Sequence, residues 1–579
     1  MELEKIRHSA SHVLAAAVKE LFPDVKLGIG PVIEEGFYYD FYKKEPFTPE
    51  DLKKLEEKMK EIIKKDFKFK KTKAARKEAE KILKNEPFKL EILKDLKDDE
   101  ITFYQDGDFI DLCKGPHINS TKDIKAIKLL RTSGAYWKGN SKNKQMQRIY
   151  GTAFGSEKEL QDYLKLLEEA EKRDHKIIGK KMGLFMLSEL VGKGLPIWLP
   201  KGEILKKEIE NFAVEMENKN GYTRVSTPHL AKEELFIKSG HLPHYKESMY
   251  PKMTIDDGNY YLKAMNCPIH HLIFGHELRS YKELPLRIAE YGTVYRNELS
   301  GTLSGLLRVR MLTQNDAHIY CTKEQIGKEI ESVLKMIQEY YKIFGFKDYY
   351  YRLSLWNPKN KEKYINEPKN WEYTEKVLRE VLKKTKIKFV EAEDEAAFYG
   401  PKIDIQFKTV FGREETLSTV QLDFVAKERF DLRYVDKDGK VNNEVFVIHR
   451  APLSTHERFI AILTEHYAGK FPLWLSPVQV KLLTITDRNI NFANEVKKLL
   501  EEKNIRCELN DEKATMGKKV RDAELEHVPI IVTIGDKEVE KRTLAIRTLD
   551  GKVKFGIKVE DFLNNITKCI LNREQKYEI

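Results

Sequence analysis

Residues 308–318 read Arg-Val-Arg-Met-Leu-Thr-Gln-Asn-Asp-Ala-His and end in a histidine, His318. Two further zinc-type ligands stand far from it in the chain: Cys267, in Met-Asn-Cys-Pro, and His449, which precedes Arg450. Structural zinc sites usually use four ligands in close pairs, whereas three dispersed ligands leave one coordination position open for a substrate. The arginines around them suggest a small polar substrate handled together with a nucleotide. The alternative is that each is an ordinary buried cysteine or histidine.

Length and composition limit the classes of protein to which this chain can belong. A chain of 579 residues is long enough for several domains, and 41% hydrophobic with 34% charged residues is a globular profile. The sequence contains neither a run of about 18 apolar residues nor the apolar core of a signal peptide, so it predicts no membrane span. Five cysteines are too few for a disulfide framework and favour a reducing cytoplasm. The net charge of +11 favours a polyanionic partner, although a lysine-rich composition could arise without one.

The first region, residues 1–155, opens with an alanine-rich helix over roughly 3–21. A β-like stretch follows over 28–41, and then a long charged run, about 49–85, which we predict to be helical. Residues 156–182 have the polar, periodic pattern of a helical connector. This region therefore predicts a separate domain joined to the rest by a helix.

The second region, residues 183–475, mixes helices with strand-like runs such as 402–407. Its strands do not alternate regularly with helices, which favours an antiparallel α+β core over a doubly wound sheet. Leu-Trp-Leu-Ser-Pro at 473–477 marks a boundary. Residues 476–579 then alternate strands with helices as a small α/β domain does. The predicted elements there are strands near 478–485 and 529–534 and helices near 492–502 and 517–526.

A second cluster of histidines and a cysteine lies in the first region. His8-Ser-Ala-Ser-His12 places two imidazoles on one helix face, and Cys113-Lys-Gly-Pro-His117 adds a thiol and a third imidazole. These four ligands could bind zinc. They could also form a metal-free hydrolytic site, in which imidazoles position water and shuttle protons beside two charged residues, or they could be unrelated surface residues. The charged residues are Asp111 and Lys89.

These motifs, in this order, resemble those of the threonyl-tRNA synthetases, which are class II aminoacyl-tRNA synthetases. In the first region the resemblance rests on His8 and His12, Gly-Pro-Val-Ile-Glu-Glu-Gly-Phe-Tyr-Tyr-Asp-Phe at 30–41, residues 111–117, and Gly-Ala-Tyr-Trp at 134–137. In the second region it rests on motif 1 ending at Thr227-Pro228, motif 2 Tyr-Arg-Asn-Glu at 295–298, and motif 3 Glu457-Arg458. It covers nearly the whole chain, and the combination is far more specific than any one motif.

The resemblance implies a multidomain α+β protein. Its expected parts are an editing domain (1–155), a helical linker (156–182), a class II catalytic domain with an antiparallel sheet (183–475) and an α/β anticodon-binding domain (476–579). The implied reaction is the ATP-dependent attachment of L-threonine to its cognate tRNA through threonyl-adenylate, with hydrolytic editing of mischarged seryl-tRNA. One Zn²⁺ per subunit, Mg²⁺ with ATP and a cytoplasmic homodimer are implied too. Many members carry a ubiquitin-like domain before the editing domain, and here Met1 stands almost at the first editing motif.

The resemblance also assigns roles to individual residues. It implies that Cys267, His318 and His449 hold the zinc, and that Arg296 and Arg458 bind the α- and γ-phosphates of ATP. The other expected contacts to substrate or ATP are Glu298, Arg308, Gln314, Asp316, Tyr399, Lys402 and Gln421, with His241 near the terminal ribose of tRNA. The expected editing residues are His8, His12, Lys89, Asp111, Cys113 and His117. The expected anticodon contacts are Arg521, Glu538 and Arg547, while Asp511 stands about where the family often has asparagine.

The implied substrate explains why two sites are needed. An apolar pocket separates a hydroxyl from a methyl isostere by only roughly a hundredfold. An open zinc can bind the amino group and hydroxyl of threonine together, so valine is rejected. Serine offers both groups and lacks only a methyl, which is worth about 1–3 kcal/mol. That difference is too small for translation, so a second, hydrolytic site is expected.

Several neighbours of the expected site depart from the family's usual residues. They include Ile269, Leu299, Ser304, Met311, Asn315 and Ser454, the last standing in place of glycine before motif 3. None of them removes an expected zinc ligand or phosphate-binding arginine. Two other functions remain open at this point: a catalytically inactive relative that binds tRNA, and an editing hydrolase whose synthetase half is vestigial.

Overall fold

The chain was analysed as a computed structural model that describes residues 2–98, 100–140, 142–409 and 412–577. Contacts divide it into two units, Met1–Glu169 and Ala170–Ile579. The second unit contains both the catalytic and the C-terminal regions expected from the sequence, so the finer domain limits stay predictions. None of the helices in the described ranges is long and apolar enough to cross a membrane.

The first unit packs an N-terminal helix on an antiparallel sheet. Its five-stranded sheet has the order β1-β3-β8-β7 with β2 paired to β3, and β4-β5-β6 form a separate three-stranded sheet. The helices are α1 (Glu2–Leu21), α2 (Pro49–Lys64), α3 (Arg76–Ile82), α4 (Pro87–Asp95) and α5 (Glu157–Arg173), the last of which crosses into the second unit. The strands are β1 (Lys26–Leu27), β2 (Val32–Ile33), β3 (Gly36–Tyr42), β4 (Lys70–Ala75), β5 (Glu100–Asp106), β6 (Phe109–Leu112), β7 (Ala126–Tyr136) and β8 (Gln145–Phe154).

The predicted helical run over 49–85 is wrong between Lys64 and Arg76, whereas α2 and α3 on either side of this segment are helical. Helix α2 ends at Lys64, Asp66 takes a left-handed φ of 57°, and β4 pairs antiparallel with β5. Strand β5 buries Ile101 and Phe103, and pairing with its backbone outweighs the helical propensity of the lysine-rich segment. Lysines are well suited to β4, because charged side chains protect an edge strand from pairing with other chains.

The second unit is built on an eight-stranded sheet of order β11-β16-β17-β24-β21-β20-β18-β19. Its helices are α6 (His175–Met182), α7 (Pro200–Lys219), α8 (Glu233–Lys238), α9 (His241–Tyr245), α10 (Cys267–Gly275), α11 (Ile326–Ile343), α12 (Pro368–Lys384), α13 (Ala426–Phe430) and α14 (His456–Tyr467). Its sheet strands are β11 (Thr223–Arg224), β16 (Leu286–Tyr295), β17 (Met311–Cys321), β18 (Tyr349–Ser354), β19 (Phe389–Ala392), β20 (Lys402–Lys408), β21 (Glu414–Asp423) and β24 (Phe446–Ala451). Smaller strands are β9 (Phe185–Met186), β10 (Ile197–Trp198), β12 (Leu230–Lys232), β13 (Met253–Ile255), β14 (Gly258–Leu262), β15 (Arg279–Ser280), β22 (Tyr434–Val435) and β23 (Val441–Asn442).

Strand pairing in this sheet is antiparallel except at its two ends, where β11 pairs with β16 and β18 with β19 in parallel. The predicted antiparallel α+β core is therefore confirmed. Helices α7, α11 and α14 supply much of the core that packs with the sheet. Because side chains alternate along each strand, the remaining face is free to carry a site.

The C-terminal region forms a five-stranded sheet of order β26-β25-β27-β28-β29. Its parallel pairs flank β25, which matches the α/β domain predicted from alternating strands and helices. The strands are β25 (Val480–Thr484), β26 (Cys507–Asn510), β27 (Ile530–Ile534), β28 (Thr543–Thr548) and β29 (Val553–Lys558). The helices are α15 (Ile490–Glu502), α16 (Met516–Leu525), α17 (Asp536–Lys541) and α18 (Val559–Leu571).

A buried carboxylate joins helix α7 to the main sheet. Helix α7 buries Leu205, Ile209 and Phe212 on one side, and Glu217 continues that buried stripe. Glu217 accepts hydrogen bonds from Arg450 on β24 at 2.9 Å, from Arg224 at 2.7 Å and from Asn315 on β17 at 2.9 Å. A buried charge is tolerated only when it is paired, so this network fixes α7 against the core face of the sheet.

Replacing Glu217 with alanine should lower the free energy of unfolding by about 3–5 kcal/mol, because it leaves the fully buried Arg450 without its partner. Chemical or thermal unfolding of the intact chain would measure the change. Glu210→Ala is the matched control on the same helix, since Glu210 forms a surface pair with Lys207 at 3.4 Å. That change should cost less than about 1 kcal/mol. Equal effects of the two substitutions would contradict the role of the buried network.

Candidate active site and candidate hydrolytic site

Four of the expected site residues form one row across the main sheet. His318 on β17 lies opposite His449 on β24, His449 lies opposite Gln421 on β21, and Gln421 lies opposite Lys402 on β20. Directly paired residues of antiparallel strands share a face, so all four belong to one face of the sheet. Along β17, Gln314 and Asp316 precede His318 at two-residue intervals and therefore share this face.

The three expected zinc ligands converge at this row. Cys267 opens helix α10, and its Sγ lies with one ring nitrogen each of His318 and His449 in a group whose atoms are all within 4.8 Å of one another. All three residues are buried, and a cavity of about 20 Å³ beside Cys267 and His449 has room for a single ion or water. Burial raises the pKa of the Cys267 thiol well above its usual range, with Asp316 and Asp423 acting in the same direction. A bound cation would reverse this, because coordination favours the thiolate.

Each histidine of this group is held by a partner on its other nitrogen. His449 Nε2 lies 3.0 Å from Asp423 Oδ2, and His318 Nδ1 lies 2.8 Å from His270 Nδ1. His270 Nε2 in turn lies 3.1 Å from Glu290. These contacts leave His449 Nδ1 and His318 Nε2 for a metal. Such outer partners fix the tautomer and orientation of ligating histidines, so the donor set fits zinc.

The sequence did not reveal these outer partners. Asp423, Glu290 and His270 belong to no expected motif, and they reach the ligands only through strand pairing and helix packing. The one available signal is local: His270 follows Cys267 by three residues, which places both on the same side of a helix.

The two arginines expected to bind phosphates, Arg296 and Arg458, lie near Arg308. Arg458 is in the first turn of α14, whose N-cap is Thr455, and its Nε donates to Leu307 O at 3.2 Å. Burial is the main cause lowering the pKa of Arg458; Glu415 opposes it, and Arg296 and Arg308 reinforce it. Clustered guanidinium groups beside a helix N-terminus form a site for a polyanion such as a triphosphate.

Glu298 belongs to this cluster, because its carboxylate accepts from Arg308 Nε at 3.0 Å. Lys402 is held elsewhere. Its Nζ lies 2.8 Å from Asp404, which also pairs with Arg352 at 3.0 Å. Lys402 is therefore on the site face but is committed to a carboxylate in this arrangement.

The residues expected to contact the amino acid surround the donor group. The Tyr399 ring stacks on His449 with a centroid separation of 5.0 Å, and its hydroxyl donates to Gln421. Asp316 accepts from Asn266 at 3.0 Å. His241, expected near the tRNA ribose, has its Nε2 3.8 Å from the Cys267 sulfur. Burial lowers the pKa of His241 to about 4, so this imidazole is neutral at pH 7.

The first unit holds its own cluster of the expected editing residues. Cys113 Sγ lies 3.3 Å from Nε2 of both His8 and His117, and the two imidazole rings stack at 4.3 Å. The His12 ring stands edge-on to the His117 ring at 5.2 Å, and its Nδ1 lies 2.9 Å from Asp106 Oδ1, both His12 and Asp106 being buried. The alternative of unrelated surface histidines is thereby excluded, and a four-ligand group is not formed, since His12 faces a carboxylate.

A cavity of about 470 Å³ opens beside this cluster. It is lined by His8, His12, Lys89, Asp111 and Cys113, together with other polar and apolar residues. Asp111 is buried, pairs with Lys89 at 2.8 Å and accepts from Tyr39 at 2.6 Å. The pair therefore fixes a polar wall in a cavity large enough for an aminoacyl group.

The protonation states in this cluster follow from burial. Burial lowers the pKa of His117 to about 2, and the neighbouring His12 and His8 add to the shift. Burial also lowers the pKa of His8 and raises the pKa of the Cys113 thiol. Neutral imidazoles can take a proton from water, whereas a protonated thiol is a poor nucleophile. The two imidazoles are therefore neutral acceptors for a hydrogen bond from water, and His117 is a weak base. His8, Cys113 and His117 also form a close group of donors that could hold a metal ion.

The expected anticodon residues are dispersed over the C-terminal sheet. Arg521 lies on α16, and Arg547 on β28 is opposite Ile531 near the start of β27. Glu538 follows the other end of β27 and accepts from Gly535 N at 3.0 Å. A cavity of about 730 Å³ at the ends of β25 and β26 is lined by Asp511 and not by these three.

Family models match most of the chain. The "tRNA synthetase class II core domain (G, H, P, S and T)" matches residues 251–467, the "Anticodon binding domain" matches 477–568, and the "Threonyl and Alanyl tRNA synthetase second additional domain" matches 101–150. The threonine–tRNA ligase of Oceanobacillus iheyensis is 45% identical over 99% of this chain and 89% of that protein. The threonine–tRNA ligase of Acetivibrio thermocellus is 48% identical over 98% and 89%.

The chain belongs to the threonine–tRNA ligase family. It thus combines a class II aminoacylation core, an editing domain and an anticodon-binding domain, as the resemblance in the sequence implied. Among solved structures, the RNA binding domain of threonyl-tRNA synthetase from Cryptosporidium parvum matches with a TM-score of 0.65 and 32% identity, over 70% of this chain and 99% of that chain. A Giardia lamblia prolyl-tRNA synthetase, 17% identical with a TM-score of 0.55 over 70% and 81%, shares the fold.

Ser454, one of the departures from the pattern of threonine–tRNA ligases, has a strained backbone conformation. Ser454 has a φ of 52° in the left-handed region, directly before the N-cap Thr455, and its carbonyl accepts from Asn315 N at 3.2 Å. A residue with a Cβ pays roughly 1–2 kcal/mol for this conformation, which explains why glycine suits the position.

Ser454→Gly should raise the free energy of unfolding by about 0.5–1 kcal/mol, because relief of the left-handed strain exceeds the added entropy of the unfolded chain. The unfolding midpoint would measure it. Ser454→Ala keeps the Cβ and should leave the midpoint unchanged. A glycine variant that is less stable than the serine protein would show that the side chain compensates for the strain.

Proposed function

We propose that the chain joins L-threonine to its cognate tRNA in an ATP-dependent reaction through threonyl-adenylate, and that it hydrolyses seryl-tRNA formed in error. The observation that supports this most is the convergence of Cys267, His318 and His449 on the sheet face that also carries Gln314 and Asp316. Three N and S donors with an open position suit a substrate that offers both an amine and a hydroxyl. Magnesium accompanies ATP in this family.

We infer that one Zn²⁺ per subunit binds to Cys267 Sγ, His318 Nε2 and His449 Nδ1. When bound, zinc supplies two-point binding of the threonine amino and hydroxyl groups, which valine cannot match. Asp316 and Gln314 are suited to accept from those groups, because they share the face of β17 with His318. Tyr399 and Gln421 complete the wall, and their mutual hydrogen bond must open for a ligand to reach them.

The arginine cluster is assigned to ATP. Arg296 would bind the α-phosphate and Arg458 the γ-phosphate, since a guanidinium group clamps phosphate oxygens in two places. Arg308 adds charge, and Glu298 holds Arg308 in place. Lys402 can join the phosphates only after leaving Asp404. His241, neutral and close to Cys267, is suited to accept a proton where the ribose of tRNA approaches.

The first unit is assigned to proofreading. Serine lacks one methyl relative to threonine, and about 1–3 kcal/mol of binding cannot exclude it. The neutral His8 and His117 would position the attacking water through hydrogen bonds, while Lys89 and Asp111 would orient the ester in the adjoining cavity. The thiol of Cys113 holds the two imidazoles rather than attacking.

The remaining proposals follow from family membership. The partners are threonine tRNA, ATP and L-threonine, with Arg521, Glu538 and Arg547 as anticodon contacts on unstacked bases. Two chains would associate through motif 1 as a homodimer in the cytoplasm. The domain limits at 155, 182 and 475 are part of this proposal.

Purified protein should contain about one zinc per chain, and Cys267→Ala should lose both the metal and threonine activation, because the donor set is broken. His270→Ala should weaken zinc binding by about 10–100-fold, since it removes the partner that orients His318. Metal analysis and ATP–pyrophosphate exchange measure the two effects. Cys321→Ala is the matched control: Cys321 is buried in the same sheet but lies outside the donor group. Full activation by a metal-free protein would refute the role of zinc.

Arg296→Ala and Arg458→Ala should each lower threonine-dependent ATP–pyrophosphate exchange by about 100-fold or more, because each removes a charge aimed at the triphosphate. Arg433→Ala, which changes an exposed arginine paired with Asp431, should have no effect. Near wild-type exchange in both site variants would show that the phosphate assignments are misplaced. An inactive relative would show no exchange at all in the unaltered chain.

The unaltered chain should hydrolyse seryl-tRNA specific for threonine and spare threonyl-tRNA. The double change His8→Ala and His12→Ala, or Cys113→Ala alone, should abolish this deacylation while threonine activation persists, so serine-charged tRNA accumulates. Deacylation of preformed seryl-tRNA and a mischarging assay measure both. Lys60→Ala, on the surface of the same unit, serves as control. Unchanged deacylation in the histidine variant would mean that editing occurs elsewhere.

A further inference from the structure

A buried histidine in the connector contacts two parts of the aminoacylation site. His175 begins helix α6 and is 1% exposed. Its Nδ1 lies 2.7 Å from Glu465 Oε1 on α14, and its Nε2 lies 3.0 Å from the backbone nitrogen of Leu306. Because a backbone N–H can only donate, Nε2 must accept, and the proton of this neutral imidazole stands on Nδ1. His175 therefore bridges a helix and a loop in one fixed orientation.

His175, Asp174 and Glu465 also have the spacing of a metal group. Hydrogen bonds account for them without one. Both ring nitrogens of His175 already have partners, and Asp174 caps α6 by accepting from Lys176 N at 2.7 Å. The cluster is thus a hydrogen-bonded junction between helix α14 and the backbone at Leu306.

His175 holds the loop between β16 and β17 in place. This loop carries Arg296 at its start and Arg308 near its end, and it approaches the histidine very closely. Gly305 has a φ of 49°, and a Cβ built there would stand 2.2 Å from His175 Nε2. Only a glycine can therefore bring the loop this near to the ring.

The residue after Leu306 extends the contact to the phosphate cluster. Leu307 O accepts from Arg458 Nε at 3.2 Å. Arg458 and Glu465 lie on the same helix seven residues apart, which is about two turns. The three hydrogen bonds form a closed ring of contacts. Glu465 on α14 binds His175, His175 binds the loop at Leu306, and the loop carbonyl of Leu307 binds Arg458 on α14.

We propose that His175 is a positioning residue for ATP: it fixes the loop between β16 and β17 so that the Leu307 carbonyl orients Arg458 toward the triphosphate. This rests on the proposed function, because it takes Arg458 as a phosphate-binding residue. His175 touches no substrate. It acts on ATP alone, since the donor group for threonine is reached through α10, β17 and β24 rather than through this loop.

Two substitutions separate the contacts of His175. Asparagine reaches about as far as Nδ1, so His175→Asn keeps the contact to Glu465 and loses the loop. Glutamine reaches about as far as Nε2, so His175→Gln keeps an acceptor for Leu306 N and loses Glu465. ATP–pyrophosphate exchange on the full chain gives KM for ATP and for threonine, and thermal unfolding gives stability.

His175→Asn should raise KM for ATP about tenfold, as expected for one lost hydrogen bond, with KM for threonine and the unfolding midpoint near those of the unaltered chain. His175→Gln should keep KM for ATP within about twofold but lower the midpoint, because a buried carboxylate loses its donor. Gly305→Ala, which displaces the loop from the other side, should reproduce the selective rise in KM for ATP even if the asparagine variant does not fold.

Unchanged KM for ATP in the foldable variants among His175→Asn and Gly305→Ala would overturn the proposal. So would equal rises in KM for ATP and threonine, which would indicate general disruption. Arg458→Ala, assayed in parallel, distinguishes a failure of the positioning role from a failure of the phosphate assignment. If it lowers exchange while the His175 and Gly305 variants do not raise KM for ATP, only the positioning role fails. If Arg458→Ala has no effect, the phosphate assignment itself is wrong.

Discussion

The pairing of β17 with β24 is the constraint on which the site depends. It places His318 opposite His449, and each strand sends its next residue to the core, where Arg450 meets Glu217. A shift of the β24 register by one residue would exchange the two faces of that strand. His449 would then leave the site, and Arg450 would move away from Glu217 to the site face. The buried ion pair on one face therefore holds the register that the other face needs.

The two candidate sites use the same donor set, one thiol and two imidazoles, in different surroundings. Cys267, His318 and His449 are buried, and the cavity that Cys267 and His449 line measures about 20 Å³. Cys113, His8 and His117 are half-buried, and the cavity that Cys113 and His8 line measures about 470 Å³. The first space suits one ion and the polar end of a small ligand. The second suits an ester that must enter with water and leave as two products. The volume of the adjoining cavity, rather than the donor chemistry, distinguishes the two proposed sites.

The sequence predicted those features that are encoded locally or in motifs: α1 with His8 and His12 on one face, the antiparallel core, and the dispersed ligands that converge. It failed where pairing between distant segments decides the outcome. The lysine-rich run before Ala75 became a strand because β5 offered a partner. Asp423, Glu290 and Asp106 were missed for the same reason, since a lone carboxylate acquires meaning only when folding sets it beside a histidine.

The wide spacing of the donors has a consequence for the order of biosynthesis. Cys267 and His318 leave the ribosome long before His449, and β24 cannot join the sheet until it has been made. The donor atoms can therefore meet only after most of the chain exists, so the proposed zinc would be captured late in maturation.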